Sequence, residues 1–178
     1  MQEKLKKIYD KKQLVQIKRE KIAHHNDHGF ILGLSPELVL LQNCGEFTLD
    51  GYSVIQISDM TSLRSNKYER FFEKMLKSEG TFDEVGIAHS LNLDSWQSLL
   101  QGLKKLNKNV IIECEVGDEE EDELFIGKLT RVNRKSVSLL YFSALGKWDD
   151  EPTIIPFDEI TKVRFDEKYI NVFSKYLI

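Results

Sequence analysis

The sequence predicts an α+β protein, mainly β, built as two tandem five-stranded small barrels, each with flanking helices. Three observations predict it. Five sequence blocks recur in the same order in the two halves of the 178-residue chain. Each half carries short β-branched and apolar runs separated by turn residues. Each half also opens and closes on a segment with apolar residues at helical spacing.

The clearest block pairs residues 67–76 with 168–177, where Lys67, Tyr68, Phe72, Lys74 and Leu76 match Lys168, Tyr169, Phe173, Lys175 and Leu177. Upstream, 60–64 pairs with 160–164, 29–39 with 127–137, 13–17 with 109–113 and 5–8 with 103–106. Shifts between 96 and 101 are what one ancestral unit and small loop changes produce.

In chain order, the first half reads as a helix over 2–11, strands over 14–19, 30–34, 38–42, 52–57 and 60–64, and a closing helix over 68–77. The second half repeats this: a helix over 95–106, strands over 110–116, 124–132, 136–142, 153–157 and 160–165, and a closing helix over 169–177. Tyr68, Phe71, Phe72, Met75 and Leu76, and their counterparts Tyr169, Val172, Phe173, Tyr176 and Leu177, form apolar stripes that predict buried helix faces lying over barrel ends. Between the halves, Thr81 and Glu84 stand at capping-box spacing and predict a short helix to about Ser90. Asp94 or Ser95 then caps the helix bearing Trp96, Leu99, Leu100 and Leu103. Domain limits follow at 1–80 and 95–178, with a structured helical connector at 81–94.

A helix followed by five short strands, with Gly29 and Gly127 early in the second strand of each half, resembles the Sm-like family of SH3-type barrels, which includes the RNA chaperone Hfq. The resemblance implies the barrel fold, ring-forming edge strands and an RNA site. Six residues beyond the glycines, where that family carries an acidic residue, stand Ser35 and Asn133, and Val39 and Val137 occupy the position of its turn Asn. Its second motif, a basic residue and Gly, is replaced by Gln56-Ile57-Ser58-Asp59 and Pro156-Phe157-Asp158-Glu159. The implied nucleotide residues are thus mostly absent, although a fold is separable from a site.

Net charge is −4. Split at His89, the first half has 13 basic and 13 acidic residues and the second 12 and 16, so neither half is a general polyanion binder. Lys6, Lys7, Lys11, Lys12, Lys18 and Arg19 read as the only basic concentration, a solvated helix face, with a phosphate-backbone site around Tyr9 as the alternative. Cys44 and Cys114 are too few for a disulfide framework and suit a reducing interior. The charged start has no signal-peptide core and no run is long and apolar enough for a membrane span, so a cytoplasmic location is expected.

No nucleophile elbow, phosphate loop, dinucleotide fingerprint or zinc-protease motif is present, and the sequence predicts no enzyme, cofactor or metal site. His24, His25 and His28 read as a solvated loop between strands, without further ligands in sequence to complete a zinc site. The run Asp118–Glu123 reads as an exposed acidic loop at the equivalent place in the second half. Lys18, Arg19, Lys21 and the three histidines of the first loop contrast with that acidic run; two unrelated loops are the first reading, and loops that face each other, within one chain or between chains, are the alternative. Trp148 is a candidate partner anchor in an acidic loop, with packing against the barrel as the alternative. The candidate edge strands run from Tyr52 to Ile57 and from Thr153 to Phe157. The expectation is a non-catalytic interaction module whose partners are itself, through barrel pairing or homo-oligomerisation, and another protein, with RNA binding by a diverged site as the alternative.

Overall fold

Among residues 1–117 and 121–178, which the computed structural model describes, the chain is mainly β with four α-helices. Helix α1 (Gln2–Asp10) precedes β1 (Leu14–Lys18), β2 (Asp27–Leu34), β3 (Leu38–Gly45), β4 (Thr48–Gln56) and β5 (Ser62–Arg64), and α2 (Lys67–Ser78) follows. The second half gives α3 (Trp96–Lys105), β6 (Asn109–Cys114), β7 (Glu123–Val132), β8 (Ser136–Tyr141), β9 (Thr153–Pro156), β10 (Lys162–Phe165) and α4 (Lys168–Phe173). The ten strands form one antiparallel sheet in the order β5-β1-β2-β3-β4-β10-β6-β7-β8-β9. The sheet does not close, and β5 and β9 are its edges.

The two halves repeat one another down to single hydrogen bonds. A bulge interrupts β2–β3 between Ile31 and Gly33 and β7–β8 between Leu129 and Arg131. At the start of the fifth strand of each half, the Thr61 amide donates to Lys18 O at 2.8 Å and the Thr161 amide to Glu113 O at 3.0 Å. Gly29 and Gly127 sit where a Cβ would lie 2.1 Å from Gln42 O and 2.0 Å from Leu140 O, so only glycine lets the third strand bend this close. The apolar alternation of each strand thus builds the same local path twice.

The halves share a core. Leu38, Leu40 and Val54 of the first pack with Leu99, Leu100, Leu103, Val110, Ile112 and Val163 of the second. A second cluster, with Leu5, Val15, Ile17, Leu41 and Ile55, lies beneath α1.

Several boundaries and one helix face differ from the sequence reading. Residues 81–90 give only a 3-10 turn, Thr81–Glu84; it is capped by Gly80 in a left-handed conformation, and the Thr81 hydroxyl turns to Phe47 O. Ser95, not Asp94, caps α3 by accepting from the Ser98 amide. Helix α4 stops at Phe173 rather than Leu177. The closing-helix stripe is only partly buried: Phe72 and Leu76, and Phe173 and Leu177, pack inward, while Tyr68, Phe71, Tyr169, Val172 and Tyr176 do not. On α2, Tyr68 and Phe71 are 63% and 62% exposed, while Glu69, Glu73 and Leu76 are buried. The reason is local satisfaction of the two carboxylates. Glu69 closes a capping box with Asn66 and pairs with Arg64, and Glu73 accepts from the Leu14 amide at 2.6 Å. On α4, Ile170 is buried, and Tyr169, Val172 and Tyr176 face outward.

Candidate functional site

The seam between the halves is the most chemically specified place in the molecule. Strand β4 pairs antiparallel with β10, placing Tyr52 opposite Phe165, Ser53 opposite Arg164, Val54 opposite Val163 and Ile55 opposite Lys162. Strand β10 pairs on its other side with β6. The edge of the first half is therefore consumed by the fifth strand of the second. Tyr52 and Phe165 stack at 5.2 Å, and the Tyr52 hydroxyl donates to Gly86 O.

One face of this seam carries a buried ionic network. Arg19 is fully buried; its Nε is 2.9 Å from Asp27 Oδ2 and its Nη2 2.9 Å from Glu115 Oε1, with Nη1 also donating to Glu115. Lys162 Nζ reaches Asp27 Oδ1 at 2.5 Å. Arg164 Nε lies 2.6 Å from Glu113 Oε1 and its Nη1 3.0 Å from Glu167 Oε2. Burial works against the charge on Arg19, yet the hydrogen bonds and fields of Glu115 and Asp27 outweigh it and raise its pKa. Burial likewise disfavours an ionised Asp27, but Lys162 and Arg19 override it and hold that carboxyl below its ordinary range. Asp59 and Glu167 go the other way, raised chiefly by burial.

At this end the chain just before the acidic run comes against the first loop, within one chain. A Cβ on Gly117 would lie 2.7 Å from Lys21 O. A cleft of about 440 Å³ opens between the halves, lined by His24, His25, Glu113, Glu115, Asp122, Glu123, Leu124, Lys162 and Arg164. Asp118, Glu119 and Glu120, the first half of the acidic run, lie outside the described residues. Among the described residues no group of three or more His, Cys, Asp or Glu side chains is arranged to hold a metal ion.

The sequence-derived candidates separate in the structure. Lys18 pairs with Glu20 at 2.7 Å at the surface, and Lys21 is exposed. Arg19 is not a surface residue but the centre of the buried network. Trp148 is half-buried, edge-on to Phe142 at 5.6 Å, so it packs rather than projects. Tyr52 and Ile57 bracket a strand already paired in the seam, with Ile57 just beyond β4 in a 3-10 turn. Thr153 starts the free edge β9 and is exposed, whereas Phe157 is half-buried just past its end. His28 lies in β2, not in a loop, with its Nε2 3.0 Å from Gln16 Nε2, and burial lowers its pKa.

Sequence reasoning missed two features. One is the basic and aromatic face of α2, where Lys67, Arg70, Lys74 and Lys77 are exposed alongside Tyr68 and Phe71, with Arg64 of β5 5.9 Å from the Tyr68 ring. The signal was the set of four cations at 67, 70, 74 and 77, spaced as one helix side. The other is Ile154, 67% exposed on β9.

No helix among the described residues is long and apolar enough to cross a membrane. No protein-family model, no curated protein and no solved structure matches the chain.

Proposed function

We propose that each half is a small barrel of the Sm-like type and that the protein is a non-catalytic interaction module, assembling edge to edge with further copies of itself. The observation that carries this is the β4–β10 pairing. It joins the fourth strand of one half to the fifth of the other, and it leaves the same two strand types, β9 and β5, at opposite ends of the sheet. An unpaired edge is a template for another strand. Because the free edges differ in kind, their pairing is head-to-tail, which gives rings when the rotation closes and filaments when it does not. Exposed Ile154 supports the reading, since its counterpart Val54 is fully buried in the seam.

Both edges are short, four and three residues, and β9 ends in Pro156, which has no amide hydrogen to donate. Contacts through them are weak and reversible, as suits a module that exchanges partners. Light scattering and sedimentation over a concentration series test the reading. We expect concentration-dependent association that Ile154→Lys abolishes; a strict monomer at all concentrations sinks it.

A second reading, RNA binding, rests on the α2 face. Its four exposed cations, Lys67, Arg70, Lys74 and Lys77, lie beside exposed Tyr68 and Phe71, with Lys67 Nζ 5.2 Å from the Tyr68 centroid. Fluorescence anisotropy with a labelled oligonucleotide decides it: salt-sensitive binding supports RNA, and no binding at low salt removes it.

A further inference from the structure

We propose that the α2 face is the docking site for the acidic loop before β9 of a second copy, with Asp149, Asp150 and Glu151 of one chain seated against Lys67 and Arg70 of the next. The inference rests on the edge-pairing reading above and adds the contact that orients and holds the joint.

The internal seam supplies the template. There, the hairpin leading into β4 packs on the start of α4. Asp50 Oδ1 accepts from the Lys168 amide at 2.6 Å, a Cβ on Gly51 would lie 2.5 Å from Glu167 N, and Asn43 Nδ2 is 3.3 Å from Glu167 Oε1. The acidic side chain thus caps a helix end that has no side-chain cap of its own.

Both partners have counterparts at the free ends. The third and fourth strands pair as Val39 with Ile55 in one half and as Val137 with Ile155 in the other, which makes β4 and β9 equivalent at a shift of 100 (155 minus 55). The turn before this strand is one residue longer in the second half, since Cys44 faces Leu49 whereas its counterpart Phe142 faces Trp148, so Asp50 falls on the acidic pair Asp149 and Asp150. The closing helices match at a shift of 101 (168 minus 67), so Lys168 corresponds to Lys67. The acidic loop of the seam therefore maps onto the segment 149–151 of one chain, set against the start of α2 of the next; because α2 carries its own Asn66 cap and the loop has no counterpart of Gly51, the contact there runs through the side chains of Lys67 and Arg70 rather than through a helix amide. The same mapping sets Thr153 opposite Arg64, Ile154 opposite Leu63 and Ile155 opposite Ser62 of the second copy.

Charge at the two ends is complementary. Asp149, Asp150 and Glu151 are consecutive and exposed. On α2, Lys67, Arg70, Lys74 and Lys77 are exposed, while Glu69 and Glu73 are turned inward, so the outer face presents the cations alone. What the seam has and the free joint lacks explains why surface charge matters there. Asp27 and Lys162, buried partners in the seam, correspond to Phe125 and Ser62, and Leu38 and Leu40 of the shared core correspond to Ser136 and Ser138. With less apolar burial and no equivalent of that buried ion pair, the intermolecular joint depends on exposed charges, which salt screens.

Sedimentation equilibrium with three proteins tests the proposal: wild type, a loop reversal (Asp149→Lys, Asp150→Lys, Glu151→Lys) and a helix reversal (Lys67→Glu, Arg70→Glu). We expect association of wild type at about 200 µM and low salt, weakened by about tenfold or more in high salt or in either variant alone. Mixing the two variants in equal amounts restores association, because each supplies the charge the other lost; a variant that merely unfolds gains nothing from mixing. If wild type associates and both reversals leave the affinity unchanged, the loop contact is overturned while edge pairing stands on the Ile154→Lys result. If wild type stays monomeric at low salt, both fall together.

Discussion

Nη2 of Arg19 lies 2.9 Å from Oε1 of Glu115, 96 positions further along the chain, and the Arg19 side chain is wholly excluded from solvent. This pair, with Asp27 and Lys162, ties the first loop of one half to the β6 and β10 strands of the other. An ion pair so buried is weak support for stability when compared with an apolar replacement, but its rupture leaves uncompensated charge in the interior.

Arg19→Ala is therefore expected to cost about 3–5 kcal/mol, because it strands Asp27 and Glu115 at the seam. Lys18→Ala, one residue away on an exposed pair with Glu20, is expected to cost about 0–1 kcal/mol. Urea unfolding of both variants measures the contrast; equal, small losses would show that the network does not hold the halves together.

Acid acts on the same network. The folded pKa of Asp27 is depressed, so its contribution is present at neutral pH and is lost as pH falls below the ordinary carboxylate value towards its folded pKa. Asp59 has the opposite sign. Burial raises its folded pKa, and its buried Oδ2 has no hydrogen-bond partner among the described residues. Its contribution is present below the unfolded pKa of about 3.9 and lost as pH rises through the folded one. Asp59→Asn should raise the thermal midpoint at pH 7 and do little at pH 4, whereas Asp27→Asn should lower it at pH 7. Midpoints that shift identically at both pH values for Asp59→Asn would contradict this assignment.

Burial pushes the Cys44 and Cys114 thiols up to about 11 and about 12. The thiolate is the reactive form, so neither cysteine should alkylate at pH 8 in the folded protein, and both should react on unfolding. Mass spectrometry after a short iodoacetamide pulse reads this directly. Rapid native labelling at either position would place that thiol outside the core.

Gly29→Ala and Gly127→Ala each bring a Cβ to about 2 Å from a backbone carbonyl of the neighbouring strand. No side-chain rotation relieves that clash, so each should cost about 1–3 kcal/mol or more. Because the two sites are geometric counterparts, their losses in urea unfolding should be similar. A large loss at one glycine and none at the other would mean that the halves tolerate strand bending differently.

Much of the fold was legible in the sequence. Alternating apolar runs located all ten strands to within a few residues, since a strand with a buried face must place apolar side chains at every second position. Boundaries moved where turn chemistry was ambiguous: β2 begins at Asp27, inside the histidine-rich segment. Helical spacing detected α2 and its inward Phe72 and Leu76 but placed Tyr68 and Phe71 inside with them, because these two rings outweigh two glutamates in any hydropathy pattern. Glu69 and Glu73 turn inward only because Asn66, Arg64 and the Leu14 amide are there to receive them.

By itself the sequence determined the α+β class, the recurrence of one pattern in two halves and the places where strands and helices form, all consequences of local periodicity and turn residues. The tertiary structure alone decided which edges meet. Nothing near Arg19 in sequence marks it as buried, because its acceptor Glu115 arrives only when β4 pairs with β10. A charge is exposed or interior according to whether its partners converge, and these partners converge from opposite halves of the chain.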